Sequence, residues 1–127
     1  MNTFENFNLG QIIINNAKKS AENIEWCKHP TFQGVELKHL ITSEETNGQF
    51  SYHLVRIEPN CSIKLHIHDT QLETHEVISG KGICICNKKQ MAYTSGVIAV
   101  IPAGIAHEVK ANEKGLYLFA KFIPALC

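Results

Sequence analysis

From Gly34 to Ile123 the chain is a succession of short β-forming runs cut at close intervals by turn residues, which leaves little freedom in its folding. Val35, Leu37, His39 and Ile41 alternate with Glu36, Lys38 and Leu40, the two-residue period of a strand. The loop Glu44-Glu45-Thr46-Asn47-Gly48 follows, then a second run over residues 50–58, closed by Pro59-Asn60. Residues 62–68 and 74–79 read as the third and fourth runs. Ser79-Gly80-Lys81-Gly82 reads as a turn into Ile83-Cys84-Ile85-Cys86, and Asn87-Lys88-Lys89-Gln90 as another. Residues 97–101 are apolar at every position, which predicts a strand buried on both faces. Pro102-Ala103-Gly104 breaks that run, and residues 107–110 and 116–123 complete the set. Such a series, with no long amphipathic helix between strands, predicts an all-β chain folded as an antiparallel double-sheet barrel or sandwich.

The 127 residues suit one core, with residues 34–127 as the barrel and residues 1–33 as an N-terminal extension packed on it. Within the extension, the polar stretch 15–22 reads as a helical turn and 24–28 as a short strand ending before Pro30. Twelve basic and twelve acidic side chains cancel, and no Lys/Arg cluster exceeds a pair. Nucleic acid is therefore not an expected partner, because binding it needs many neutralised phosphates. No stretch approaches the roughly 20 apolar residues that span a bilayer. The start, Met1-Asn2-Thr3-Phe4-Glu5, lacks the basic and apolar regions of a secretory signal, so no membrane partner and a cytoplasmic location are expected. The five cysteines, odd in number and irregularly spaced, read as free thiols. Cys84-x-Cys86 would share a strand face, but lacks a second pair at metal-binding spacing and reads as two small buried side chains.

Seven histidines is a high count for this length. His29, His39 and His53 stand alone in strand or pre-proline contexts and read as hydrogen-bonded structural side chains. His66 and His68 differ. Side chains at i and i+2 of a strand share a face with Cα atoms about 7 Å apart, so two imidazoles can lean onto one ion. Leu65 and Ile67 then face the other way, into apolar packing. After Asp69-Thr70-Gln71-Leu72, a short enough connection for the next strand to return antiparallel, Glu73 can sit beside the pair. His107 follows the Pro102-x-Gly104 turn.

The spacing of these groups carries a resemblance. Asn60-x5-His66-x-His68-x4-Glu73-x6-Gly80 resembles the first motif of the cupin superfamily, G-x5-H-x-H-x(3,4)-E-x6-G, and Gly96-x5-Pro102-x-Gly104-x2-His107 resembles the second, G-x5-P-x-G-x2-H. The fifteen residues between Gly80 and Gly96 are similar to the short spacer of small single-domain cupins, and the strand pattern extends the likeness over about 34–123. Asn60 stands where the first motif has Gly, which a positive φ would accommodate, since Asn tolerates it best after Gly. The Asn that trails the second motif would fall on Ala111. Neither departure touches a ligand position.

The resemblance implies a jelly-roll barrel with one divalent transition metal per chain on His66, His68, Glu73 and His107. Mixed nitrogen and oxygen donors suit Fe, Mn, Ni, Co, Cu or Zn and disfavour Ca or Mg. Coordination positions left open would take water, O₂ or a bidentate small molecule. Cupins with this ligand set include dioxygenases, decarboxylases, isomerases and lyases, so the likeness implies a small-molecule metalloenzyme or, alternatively, a non-catalytic module that captures or senses a small ligand. Resemblance to small cupins also implies a homodimer, for which the strands near Trp26 to Ile41 could supply an edge.

Other residues complete the expectation. His75, two residues after Glu73 on the same strand, should face the same interior as a candidate catalytic base, a substrate contact or an orienting partner. Glu76 should point outward, and Gln71 should be solvated. In residues 50–58 either Tyr52, Leu54 and Arg56 or His53, Val55 and Ile57 line the interior, and parity alone leaves both open. Phe119 and Phe122 read as core.

Overall fold

The structure, a computed structural model, describes residues 2–127. It is mostly β with antiparallel pairing, a double-sheet barrel of jelly-roll type. The main body contains β3 (Cys27–Lys28), β4 (Val35–Ile41), β5 (Ser51–Ile57), β6 (Ser62–His66), β7 (Leu72–Cys86), β8 (Lys89–Thr94), β9 (Ile98–Ile101) and β10 (His107–Ile123). Ahead of them lie α1 (Thr3–Asn8) and the hairpin of β1 (Gln11–Ile14) and β2 (Ala17–Ser20); α2 (Ser43–Thr46) joins β4 to β5. Hydrogen bonding runs β3-β4-β5-β10-β7-β8, with β6 also on β10 and β9 also on β7.

Two long strands make the barrel. The first half of β10 lies between β6 and the second half of β7, while its second half lies between β5 and the first half of β7. Both strands therefore pass from one sheet to the other. The expected turn at Ser79-Gly80-Lys81-Gly82 is instead the bend of one continuous strand. Gly80 adopts φ +83°, and a Cβ there would strike the Gly115 carbonyl; a Cβ on Gly82 would strike that of Lys110. These glycines allow β7 to cross close to β10, a use that a turn signal in sequence does not distinguish.

The barrel interior is filled by Val35, Val55, Ile57, Val77, Tyr93, Ile101, Val109, Leu116, Leu118 and Phe122, among others. A second cluster, Phe4, Ala21, Leu40, Leu54 and Phe119 with Trp26 and Tyr52 against it, covers the outer face of β4, β5 and the end of β10. The parity of β5 is thereby settled: His53, Val55 and Ile57 face inward, and Tyr52, Leu54 and Arg56 face the second cluster. Arg56 stacks 4.0 Å from the Trp26 ring centroid and pairs with Glu36 at 3.0 Å. Lys38, which is buried, donates to the carbonyls of Asn8 and Ala21 at 2.9 and 2.8 Å, fastening the N-terminal segment down. The expected helical turn at residues 15–22 is the β1–β2 hairpin and a short 3₁₀ turn, because Asn15 adopts φ 57° and reverses the chain early.

Two burial expectations are corrected. Leu65 and Ile67 are 63% and 52% exposed, and Ile98 and Val100 are 74% and 60% exposed. Strand alternation turns Ala99 and Ile101 toward the core and sends Ile98 and Val100 outward, where no element among the described residues covers them. An unbroken apolar run thus marks one core face and one uncovered apolar face. The Trp26–Ile41 region lies at an edge of the sheet, since β3 ends the strand order and pairs only with Glu36 and Leu37 of β4.

Candidate metal centre

His66 ends β6, and His107, which begins β10, lies opposite it in register. His68 follows in the loop after β6, whose return sets Glu73 at the start of β7 between Phe122 of β10 and Ile101 of β9. Asn60, at the tight turn before β6, has φ 61°, so the departure from glycine is accommodated as expected. The four side chains supply one ligand atom each, and these atoms lie within 4.8 Å of one another.

The hydrogen bonds fix which atoms face the centre. His66 Nδ1 lies 2.7 Å from the Lys64 carbonyl, and His107 Nδ1 3.0 Å from that of Ile105. A carbonyl can only accept, so each Nδ1 carries the proton and each Nε2 presents a lone pair or a second N–H inward. Glu73 is buried. Its Oε1 accepts from His107 Nε2 at 3.0 Å and lies 3.7 Å from His68 Nε2, while its Oε2 accepts from His75 Nε2 at 2.7 Å. His75 Nδ1 in turn meets the Tyr93 hydroxyl at 2.7 Å. The carboxylate is held at both ends: one oxygen faces the histidine cluster, and the other is tied through His75 to Tyr93.

Electrostatics follow from this geometry. Burial opposes ionisation of Glu73, but the hydrogen bonds and charges of His107 and His75 outweigh it and hold the carboxyl well below its usual range. Burial lowers His66 and His68 toward the neutral form. His107 is also buried, yet its bond to Glu73 prevails and raises it. Neutral His66 and His68 and an ionised Glu73 are in the protonation states that a cation needs, whereas His107, which donates from both ring nitrogens, would give up its Nε2 proton to a cation.

The donor set fits a transition metal. Bonds of about 2.0–2.2 Å place donors about 3 to 4.3 Å apart, so a group already within 4.8 Å closes on an ion with a shift of about half an ångström. Beside it lies a cavity of about 70 Å³, lined by His29, Leu37, Val55, Ile63, Leu118, Ala120, Phe122 and Leu126 together with His66, His68, Glu73 and His75. No Lys or Arg lines it.

Of the residues singled out in sequence, His66, His68, Glu73 and His107 converge, and His75 joins them through Glu73. Glu76 points away and accepts from the Tyr52 hydroxyl at 2.9 Å. Phe122 serves as core and cavity wall at once, and Phe119 packs in the second cluster. Sequence reasoning missed Tyr93 as the partner of His75, Leu126 as part of the cavity wall, and His29, which lines the cavity and whose Nδ1 accepts from the Thr31 and Phe32 amides, so that its proton sits on Nε2. Nothing in the spacing of these three marks them, because each reaches the site from a distant segment.

Comparison with known proteins bears on the family and the fold. A family model described as "Cupin domain" matches residues 53–119. An oxalate-binding protein of Thermotoga maritima is 23% identical over 77 residues, 60% of this chain, and the chain spans 64% of that relative's length. The crystal structure of a predicted oxalate decarboxylase from the same organism superposes with a TM-score of 0.73 at 22% identity, covering 81% of this chain and 95% of that one. An RmlC-like cupin from Shewanella frigidimarina gives a TM-score of 0.73 at 16% identity, covering 91% and 95%.

Proposed function

This chain belongs to the cupin family, and we propose that His66, His68, Glu73 and His107 hold one divalent transition metal that takes a small chelating molecule into the barrel. The observation that carries this reading is the convergence of three imidazoles and one ionised carboxylate beside a cavity of about 70 Å³. A bound metal of this class supplies Lewis-acid polarisation of an oxygen ligand or, as Fe, a position for O₂. The cavity is well below the roughly 300–1,000 Å³ of drug-sized sites, so the ligand is a molecule of few atoms. With no Lys or Arg in the wall, the positive charge for an anionic ligand comes from the metal site itself. The small oxygen chelators, two-carbon dicarboxylates among them, fit those demands, and two of the similar proteins are described in terms of oxalate.

This chain's own residues divide the work. The Lys64 and Ile105 carbonyls fix the His66 and His107 tautomers so that Nε2 points inward. His75 and Tyr93 orient Glu73 by holding Oε2, leaving Oε1 for the cation. Leu37, Val55, Leu118 and Phe122 exclude water, which strengthens every polar contact inside. His29, its proton on Nε2, would be the wall's further donor to a ligand. The chemistry proposed is that of a small-molecule oxidoreductase, isomerase or lyase. One observation favours the alternative, metal-dependent capture without turnover: His75 is spent between Glu73 and Tyr93 and is not free to act as a base.

The test loads metal-free protein with Mn, Fe or Co and titrates it with oxalate and related small carboxylates by calorimetry, then follows CO₂ release and oxygen uptake. Binding that needs the metal is expected, and is lost with His66→Ala and His107→Ala together. Failure of every metal-loaded form to bind any small chelating carboxylate contradicts the substrate class. Binding without turnover selects capture.

A further inference from the structure

A second convergence of ligand atoms lies outside the site just described. His39 on β4 is paired in register with His53 on β5. Their Nδ1 atoms are 2.8 Å apart, and Cys127 Sγ lies 3.7 Å from His39 Nδ1. The three donor atoms all fall within 4.8 Å of one another. An ion with Zn–N bonds of about 2.0–2.1 Å and a Zn–S bond of about 2.3 Å in a tetrahedron sets its donors about 3.3–3.6 Å apart, close to the observed separations.

The surroundings orient the group. His53 is fully buried, and its Nε2 meets Ser51 Oγ at 2.8 Å. The same hydroxyl oxygen accepts the Leu126 amide at 2.8 Å. With Nε2–H donated to Ser51, the His53 Nδ1 lone pair faces His39 and Cys127. This is how a ligating imidazole is held, its other nitrogen fixed by a neighbour. The third ligand arrives with the tail: the Cys127 carbonyl accepts from the Ser43 amide and the Ala125 amide donates to Gly48, so backbone bonds bring the thiol to the imidazoles.

We propose that His39 Nδ1, His53 Nδ1 and Cys127 Sγ form a second cation site, selective for ions that accept a thiolate, such as Zn²⁺, Co²⁺ or Cu⁺, which latches the C-terminal tail over the cavity. The mixed imidazole–sulfur set differs from the all-imidazole and carboxylate centre, so the two sites prefer different ions. The ring of Phe122 packs against both, 5.5 Å from His53 and 4.9 Å from His68. Leu126, next to the thiol, is part of the cavity wall. A cation at the second site therefore fixes the residue that closes one side of the first.

Cobalt separates the two sites, because sulfur bound to Co²⁺ gives an intense near-ultraviolet charge-transfer band and the first centre contains no sulfur. Reduced full-length protein, freed of metal and titrated with Co²⁺, is expected to take up two ions per chain and to develop that band. Cys127→Ser is expected to take up one ion without the band, and Cys27→Ser to keep both ions and the band. Cys127 is exposed at the end of the tail, so its replacement leaves the core intact. Absence of the band in saturated wild-type protein, or its survival in Cys127→Ser, overturns the proposal whatever the first centre does.

Discussion

Tyr93→Phe removes one oxygen and nothing else, from a ring that is 1% exposed. That hydroxyl is the partner of His75 Nδ1 at 2.7 Å, and His75 Nε2 holds Glu73 Oε2 at the same distance. The shape of the core is kept, so no cavity contribution arises. What is lost is the buried hydrogen bond to His75, which leaves a buried imidazole nitrogen without that partner. An orphaned buried polar group costs about 1–3 kcal/mol, which is the expected loss in unfolding free energy for the metal-free protein. The second effect falls on the metal. With one anchor gone, His75 no longer fixes the carboxylate, and outer hydrogen bonds of this kind are worth about 10–100-fold in metal affinity. Urea denaturation of metal-free protein measures the first effect, and competition titration against a chelator measures the second. A stability change under about 0.5 kcal/mol, the level of an ordinary surface substitution, together with unchanged affinity, would refute the chain Tyr93–His75–Glu73 as an orienting device.

Burial, reinforced by His39, lowers His53 to about 4, so between pH 6.5 and 4 the unfolded chain binds a proton that the folded one refuses. Stability of metal-free protein is therefore complete above about pH 6.5 and falls on acidification, by up to about 3 kcal/mol from this group. Burial lowers His66 and His68 in the same sense, while the raised His107 opposes them. Denaturation midpoints equal at pH 7 and pH 5 would contradict the sign. Gly80→Ala meets both a φ of +83° and the Gly115 carbonyl and should cost at least about 2 kcal/mol, whereas Gly96→Ala, at φ +93° with open space, should cost about 1 kcal/mol; thermal melts that rank them the other way count against the strand-crossing account. Homodimerisation, if it covers the exposed Leu65, Ile67, Ile98 and Val100, should give a dimer mass by light scattering that Ile98→Lys with Leu65→Lys reduces to a monomer. A monomer mass for the unaltered chain removes the dimer.

The fold was legible because strand alternation and turn residues act locally. Val35 to Ile41, Ser51 to Ile57 and Ser62 to His66 each carry their own period and punctuation. What misled was any signal with two physical meanings. Gly80 and Gly82 serve a close strand crossing as readily as a turn, and the run ending at Ile101 is apolar on both faces although only one is covered. The convergence of His66, His68, Glu73 and His107 was legible because their spacing is dictated by one strand pair and one return loop. Tyr93, Leu126 and the His39–His53–Cys127 cluster were not, since their partners are brought together only by closure of the barrel and docking of the tail. No helix of the described residues is long and apolar enough to cross a membrane.

The central claim is that four side chains share one cation, and anomalous diffraction from crystals grown with Mn²⁺ or Co²⁺ tests it most directly. The account predicts a peak about 2.0–2.2 Å from His66 Nε2, His68 Nε2, Glu73 Oε1 and His107 Nε2. A saturated crystal with no peak there, or a peak that leaves any of the four outside bonding distance, would contradict it.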